Sequence, residues 1–183
     1  MIKTKSDLKY YLKQDKKALG ILDTRTFPRP FLDHIWKYEI ILRKYEYAIN
    51  NSRFSRIYYK ILLKYWSEKL SVYIPPNVFG PGLSIAHAAS IVVNDNAKVG
   101  KNCRIHEGVT IGATNGEKKA AIIGDNCFIG SGAKIIGNIS IGDNVAIGAG
   151  AVVVKSFEGS NITLGGVPAR IISQNSSKSN LLI

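Results

Sequence analysis

From Val93 to Val153 an aliphatic residue returns at every sixth position, with one omission. The series runs Val93, Val99, Ile105, Ile111, then Glu117 where an aliphatic is due, then Ile123, Ile129, Ile135, Ile141, Ile147 and Val153. Glycine takes the next position at Gly100, Gly112, Gly124, Gly130, Gly142 and Gly148. A fixed period of six marks a hexapeptide β-helix, whose short strands stack in parallel at ~4.8 Å per layer. The first-position aliphatics are expected to point inward as one ladder. The glycines that follow are expected to permit corner geometries that other residues resist. Both cysteines, Cys103 and Cys127, fall on the fifth position beside small residues such as Ala97, Ala121 and Ala133. That placement reads as buried packing in a reducing compartment, not as a disulfide framework.

The omission at Glu117 lies in a polar, turn-rich stretch, Thr114 to Ala121, and the frame resumes in phase at Ile123. This pattern reads as a loop thrown outward from a coil face, the kind of excursion that carries function on a rigid scaffold.

The chain divides into a helical N-terminal region (1–73), a β-helix (74–172) and a Ser/Asn-rich tail (173–183) read as flexible. The net charge of +12 is lopsided: residues 1–80 hold 16 Lys+Arg against 7 Asp+Glu, and the remainder 9 against 6. All nine tyrosines and both tryptophans also precede residue 81. Ser6 is read as the cap of a first helix that runs toward Leu19 and stops at Gly20. Phe27-Pro28-Arg29-Pro30 breaks the chain. A second helix is expected from about Leu32 to Ile49 and a third from about Ser52 to Val72, ended by Pro75-Pro76. Such helices have a structural task, because an open coil end exposes unpaired backbone. Their lysines read as a solvated face, with contact to an anionic membrane as the alternative. No motif accompanies the charge to indicate nucleic acid. No apolar run approaches a membrane span, and the charged N-terminus lacks the core of a signal peptide. A cytoplasmic location is expected, with the inner membrane face as the place of any lipid contact.

His34 falls in the second helix and reads as structural. His87 sits on a first position, six before Val93, where packing calls for an aliphatic. His106 occupies a second position, where glycine is usual, so its ring is expected to project outward. Imidazole suits proton removal near neutral pH. Counted as one layer per hexapeptide, the two rings stand three layers apart, ~14 Å. On that count they do not touch within one chain, and a groove between subunits is where they would meet. Coil prisms of this kind gain by closing as homotrimers.

The stretch from Ile74 to Ile172 resembles the hexapeptide acyltransferases, and among them the serine acetyltransferase family. Ser84-Ile85-Ala86-His87-Ala88-Ala89-Ser90 resembles that family's catalytic-histidine segment, Ile147-Gly148-Ala149-Gly150 and Lys155 are typical, and Gly165-Gly166-Val167-Pro168-Ala169-Arg170-Ile171 matches a common closing motif. The resemblance implies a left-handed parallel β-helix, a trimer, and acetyl-CoA as acetyl donor in the groove between neighbouring coils, with no metal. It implies His87 as general base, assisted here by His106. It implies coenzyme contacts at Ser131, Ala149, Val154 and Lys155, with Arg170 near the phosphates. Asn115 and Lys119, on the outward loop, are read as acceptor contacts.

Departures from the family pattern shape the expected acceptor. Ala86 stands where the family has an acid, and Lys119-Ala120 where it has an Arg-His pair. Arg104-Ile105-His106 instead matches short relatives that resemble acetyltransferases of surface-polysaccharide synthesis. The expected activity is therefore acetyl-CoA-dependent O-acetylation of a sugar of a surface polysaccharide or its precursor. The alternatives are O-acetylation of serine, which the terminal Ile183 weakly favours, and a non-catalytic scaffold. A metal-dependent carbonic-anhydrase-like site needs three histidines, and the coil offers only His87 and His106.

Overall fold

The computed structural model describes residues 1–21, 33–51, 53–114 and 116–182. Three helices come first: α1 (Lys5–Ala18), α2 (His34–Asn51) and α3 (Arg53–Leu70). Helix α1 is capped by Thr4, two residues before the expected Ser6. The Thr4 hydroxyl accepts from the Asp7 amide at 3.0 Å, and the Asp7 carboxylate accepts from the Thr4 amide at 2.8 Å. This reciprocal pair needs an acid three residues on, and only Thr4 has one so placed. Gly20 ends the helix with φ +66°, as expected. The Phe27–Pro30 break, Leu32 and Ser52 lie outside the described residues. Val72, assigned to the third helix from the sequence, instead opens the coil in β1 (Val72–Tyr73), because it pairs with Ile91.

The rest is a left-handed parallel β-helix with three faces. The first face stacks β1, β3 (Ile91–Val93), β6 (Thr110–Gly112), β9 (Lys134–Ile136) and β12 (Val152–Val153). The second stacks β4 (Lys98–Val99), β7 (Ile122–Ile123) and β10 (Ser140–Ile141). The third stacks β2 (Ser84–Ile85), β5 (Arg104–Ile105), β8 (Phe128–Ile129), β11 (Ala146–Ile147) and β13 (Thr163–Gly165), and β14 (Arg170–Ser173) closes it antiparallel. Three hexapeptides make one turn, so partners stand eighteen residues apart: Val92 pairs with Thr110, and Phe128 with Ala146. Across the outward loop the offset becomes twenty-four, as in Thr110 with Lys134. The loop thus adds one whole hexapeptide, which is why the frame resumes in phase. Every first-position aliphatic from Val93 to Val153 is buried, as are Cys103 and Cys127.

The second-position glycines serve close approach and not unusual dihedrals. None of the six takes a positive φ. A Cβ on Gly124 would lie 2.8 Å from the carbonyl carbon and oxygen of Gly142 in the next coil. Left-handed geometry falls instead to a column of asparagines at the corner between the second and third faces. Asn102, Asn126 and Asn144 have φ of 55°, 54° and 56°. Their amides form a ladder, Asn102 Nδ2 to Asn126 Oδ1 at 2.8 Å and Asn126 Nδ2 to Asn144 Oδ1 at 3.0 Å.

The tail is not free of the body. Ser177 is buried in a short 3₁₀ turn (Ser177–Asn180), its amide donates to Asn144 O at 3.1 Å, and its hydroxyl donates to Asn126 O. The exposed carbonyls of the asparagine corner give the polar tail a dock that composition does not reveal. Ile183 lies outside the described residues.

At the N-terminal end, helices meet backbone that no further coil will pair. Asp15 Oδ1 accepts from the Gly82 and Leu83 amides at 2.7 and 2.9 Å. Glu46 Oε1 accepts from Asn77 N at 2.8 Å, and Glu39 Oε1 from Ile85 N at 3.1 Å. Arg43 donates to the Phe79 and Gly80 carbonyls at 2.9 and 2.7 Å and to Asp15 Oδ2 at 2.7 Å. All four charged residues are buried. Burial, and then the charge of Asp15, push the Glu39 carboxyl well above the usual carboxylate range. Among the described residues no helix is long and apolar enough to cross a membrane.

Removing Arg43 leaves Asp15 and Glu46 buried without a counter-charge. Arg43→Met is expected to cost about 3–5 kcal/mol, read as a lower urea midpoint at an unchanged slope.

Candidate active site

The candidate site lies at the corner between the third and first faces. Ile85 and Val93, the inward residues either side of this corner in the first coil, are eight apart, whereas Ile105 and Ile111 above them are six apart. The turn from Ala86 to Ser90 therefore carries two extra residues, and Ser90 takes φ +50° to close it. The extra residues shift the frame. Ile85 fills the inward position and is buried, while His87 is carried out to solvent. His87 is thus not on a packing position, as the back-projected period suggested.

His106 projects outward from the same corner one coil on. The two imidazoles are neighbours, with ring centroids 5.8 Å apart and planes at 66°. The expected separation was wrong because a hexapeptide is one face and not one layer. Nineteen residues bring the chain once round, so the rings meet within one chain. Phe128, one coil further, stands edge-on to His106 at 5.1 Å.

The His106 side chain is 20% exposed. Burial, then the positive charge of Arg104, hold its pKa below the usual histidine value, and the neighbouring His87 adds to the lowering. Glu107 opposes them, its Oε2 lying 3.7 Å from His106 Nδ1. That oxygen is shielded from solvent and has no hydrogen-bond partner among the described residues. A hydrogen bond with Ser131 holds the Glu107 carboxyl below the usual carboxylate range. His106 is therefore neutral at neutral pH, with a carboxylate placed to stabilise the imidazolium once a proton arrives. Nitrogen and oxygen donors of His87, His106 and Glu107 all lie within 4.8 Å of one another. They are able to hold a divalent ion, but only by giving up the imidazole lone pairs that proton removal needs.

The remaining sequence-predicted residues divide between places. Ser131 and Ala149 stack on the histidine edge above Glu107, which was not among them: Gly132 N donates to Glu107 O, and Gly150 N to Ser131 O, each at 2.8 Å. Ser131 is half-buried and Ala149 exposed. Val154 and Lys155 follow β12 at the opposite edge of the first face. Both are exposed, and Lys155 Nζ lies 5.4 Å from the Phe157 ring. The outward loop leaves the coil at that same far edge, after β6, and carries an exposed Lys119. Arg170 is exposed on β14. Asn115 lies outside the described residues. His34 stacks on Trp66 at 5.4 Å, in keeping with a structural role. Glu107 and Phe128 belong to the site and were not anticipated. Glu107 adjoins His106 in sequence, and Phe128 reaches it because β8 pairs with β5, Arg104 opposite Phe128 twenty-four residues on.

A stacked coil with exposed imidazoles at one corner defines the hexapeptide-repeat acyltransferases. Residues 120–155 match the family model described as bacterial transferase hexapeptide (six repeats). A serine acetyltransferase of Staphylococcus aureus strain Mu50 is 33% identical over 178 residues, covering 93% of this chain and 78% of its own. Among solved structures, the serine acetyltransferase of Brucella abortus strain S19 in complex with coenzyme A superposes with a TM-score of 0.73 at 30% identity, over 94% of this chain and 70% of the other. That of Neisseria gonorrhoeae in complex with serine gives 0.70 at 31% identity, over 92% and 70%. The chain belongs to the serine acetyltransferase family.

The charges around His106 make opposed predictions. Its NMR titration midpoint is expected below the ordinary value of about 6.5. Glu107→Gln removes the group that raises it, so the midpoint falls further; a rise would contradict this arrangement.

Proposed function

We propose that this protein transfers acetyl from acetyl-CoA to the hydroxyl of L-serine, with His87 as general base and His106 beside it. The observation that carries this reading is the contact of two imidazoles on one solvent-facing corner, 5.8 Å between rings, in a chain of this family. The names of its relatives favour serine over a sugar as acceptor. The acceptor oxygen attacks the thioester carbonyl, its proton passes to imidazole, the C–S bond breaks as the new C–O bond is made, and the proton leaves with the departing thiolate. His106 and Glu107 spread the positive charge that His87 acquires. Ser131 and Ala149, continuing the same edge, and Val154 and Lys155 across the first face, are the proposed coenzyme contacts, with Arg170 for the phosphates. A second reading, a sugar hydroxyl of a surface polysaccharide or its precursor, is supported by two absences. Ala86 brings no acid, and the buried Ala120 brings no imidazole.

The same proposal places the enzyme in the cytoplasm as a homotrimer, since half-exposed Val92, Val154 and Tyr73 leave apolar surface on the first face for a neighbouring copy. On α3, Phe54, Ile57, Tyr58, Ile61 and Tyr65 are exposed in one row beside Lys60 and Lys64, a pattern suited to an anionic membrane surface.

His87→Ala is expected to lower kcat by about 10²–10⁴-fold in a thiol-release assay with acetyl-CoA and L-serine; unchanged turnover would remove His87 as the base. Release with nucleotide sugars but not serine would select the second reading. Co-sedimentation with phosphatidylserine vesicles is expected to weaken in Ile57→Glu, and equal recovery of both proteins in the supernatant would exclude the membrane contact.

A further inference from the structure

Two arginines among the described residues are partly or wholly taken out of water, and they are treated differently. Arg43 is fully buried and held between Asp15 and Glu46. Arg104, on the outward side of β5, is half-buried, and burial lowers its pKa. A hydrogen bond runs from its Nη1 to Ser84 Oγ at 3.1 Å. Among the described residues no carboxylate pairs with it.

A cavity of about 660 Å³ lies against this side chain, bounded also by Ile85, Ala86, Asp33, His34 and Leu182. Ala86 leads directly into His87, and the charge of Arg104 is felt at His106. The cavity, the guanidinium and the imidazole pair therefore share one neighbourhood. Two other polar residues of the wall have partners of their own. Asp33 Oδ1 accepts from the Ile35 and Trp36 amides at 3.0 Å each, which caps α2, and His34 is stacked on Trp66. A second cavity of about 440 Å³ shares Gly20, Ile21 and Leu182 with the first and is walled by Lys13 and Lys17. The lysines of this second cavity lie close by, and Asp33 is the acid in the wall of the first.

We propose that Arg104 binds the anionic group of the acyl acceptor in this cavity and so selects anionic acceptors. This inference rests on the acetyl-transfer reading above and adds a substrate class and a residue to it. A partly desolvated guanidinium with no carboxylate beside it gains from a planar anion, which takes two charge-assisted hydrogen bonds at once. A carboxylate and a phosphate both fit that description. Anchored there, the acceptor extends its hydroxyl past Ala86, which lines the cavity and precedes His87 in the chain.

The test uses the full chain, acetyl-CoA and thiol release, with acceptors in matched pairs: L-serine against serinol, and UDP-N-acetylglucosamine against N-acetylglucosamine. Wild type is expected to favour the anionic member of one pair, and the responding pair tells a carboxylate from a phosphate. Arg104→Met is expected to lose about 10–100-fold in kcat/KM for that member, with a smaller loss for its partner and an unchanged KM for acetyl-CoA. Arg104→Lys restores part of the preference. Equal losses for both members, or a wild type indifferent to the anion, would overturn the assignment while leaving acetyl transfer intact. No turnover with any acceptor would overturn the acetyl-transfer reading, and this inference with it. Should Arg104→Met fail to fold, the wild-type preference and the lysine variant decide.

Discussion

The parallel backbone pairing of each coil with the next is the interaction on which everything else in this molecule rests. It fixes the return of the chain to the same corner after three hexapeptides, give or take the insertions a corner tolerates. Corners then become columns, and residues far apart in sequence become neighbours without any long-range recognition between side chains. The asparagine ladder, the glycine stack from Gly100 to Gly142, and the meeting of His87 with His106 are three products of one rule. None requires the side chains to have found each other; the ladder delivers them.

The same ladder creates a problem at its first rung. A stack of parallel strands has two ends, and backbone groups there face whatever lies beyond. In this chain the N-terminal end faces helices, whose own backbones are already paired and offer nothing. Side chains must do it. Asp15, Glu39 and Glu46 take amide protons from the loop before β2 and from β2 itself, and Arg43 gives its protons to two carbonyls in the same loop. Burying four ionisable groups is costly in isolation. Here each satisfies backbone that would otherwise be orphaned, and Arg43 joins two of the three acids. Glu39 is the exception: among the described residues one of its oxygens has no partner, and burial with the charge of Asp15 raises its pKa well above the usual carboxylate range.

How much of this was readable beforehand follows from what a period can encode. Six-residue spacing with inward aliphatics names the coil, because Val93 through Val153 must all face one interior. It does not say how many hexapeptides complete a turn, and that number separates a 14 Å gap between histidines from a contact. The frame also carries no warning of insertions smaller than a hexapeptide. Two extra residues between Ile85 and Val93 move His87 from an apparent packing position to the surface, while the six extra residues around Glu117 announce themselves as a missed beat. The capping charges were invisible for a different reason. Asp15, Glu39, Arg43 and Glu46 look like any charged residues on an amphipathic helix until the partner surface is known to be raw backbone.

These irregularities coincide at one place, and their coincidence has a physical reason. A perfectly regular coil presents identical corners, each closed tightly enough that glycine is required, and identical corners leave no room for a base and its substrate. Chemistry needs a corner that is larger than its neighbours. The first coil is where enlargement costs least, since the turn from Ala86 to Ser90 has a stacked neighbour on one side only. Beyond it stand the helices of the cap, held at a set distance by the buried charge network and not by strand pairing. The end of α1 and the start of α2 can therefore wall a cavity against Ala86 and Arg104 that a further coil would have filled. The cap that completes the backbone thus also leaves a cavity beside the segment that leads into His87.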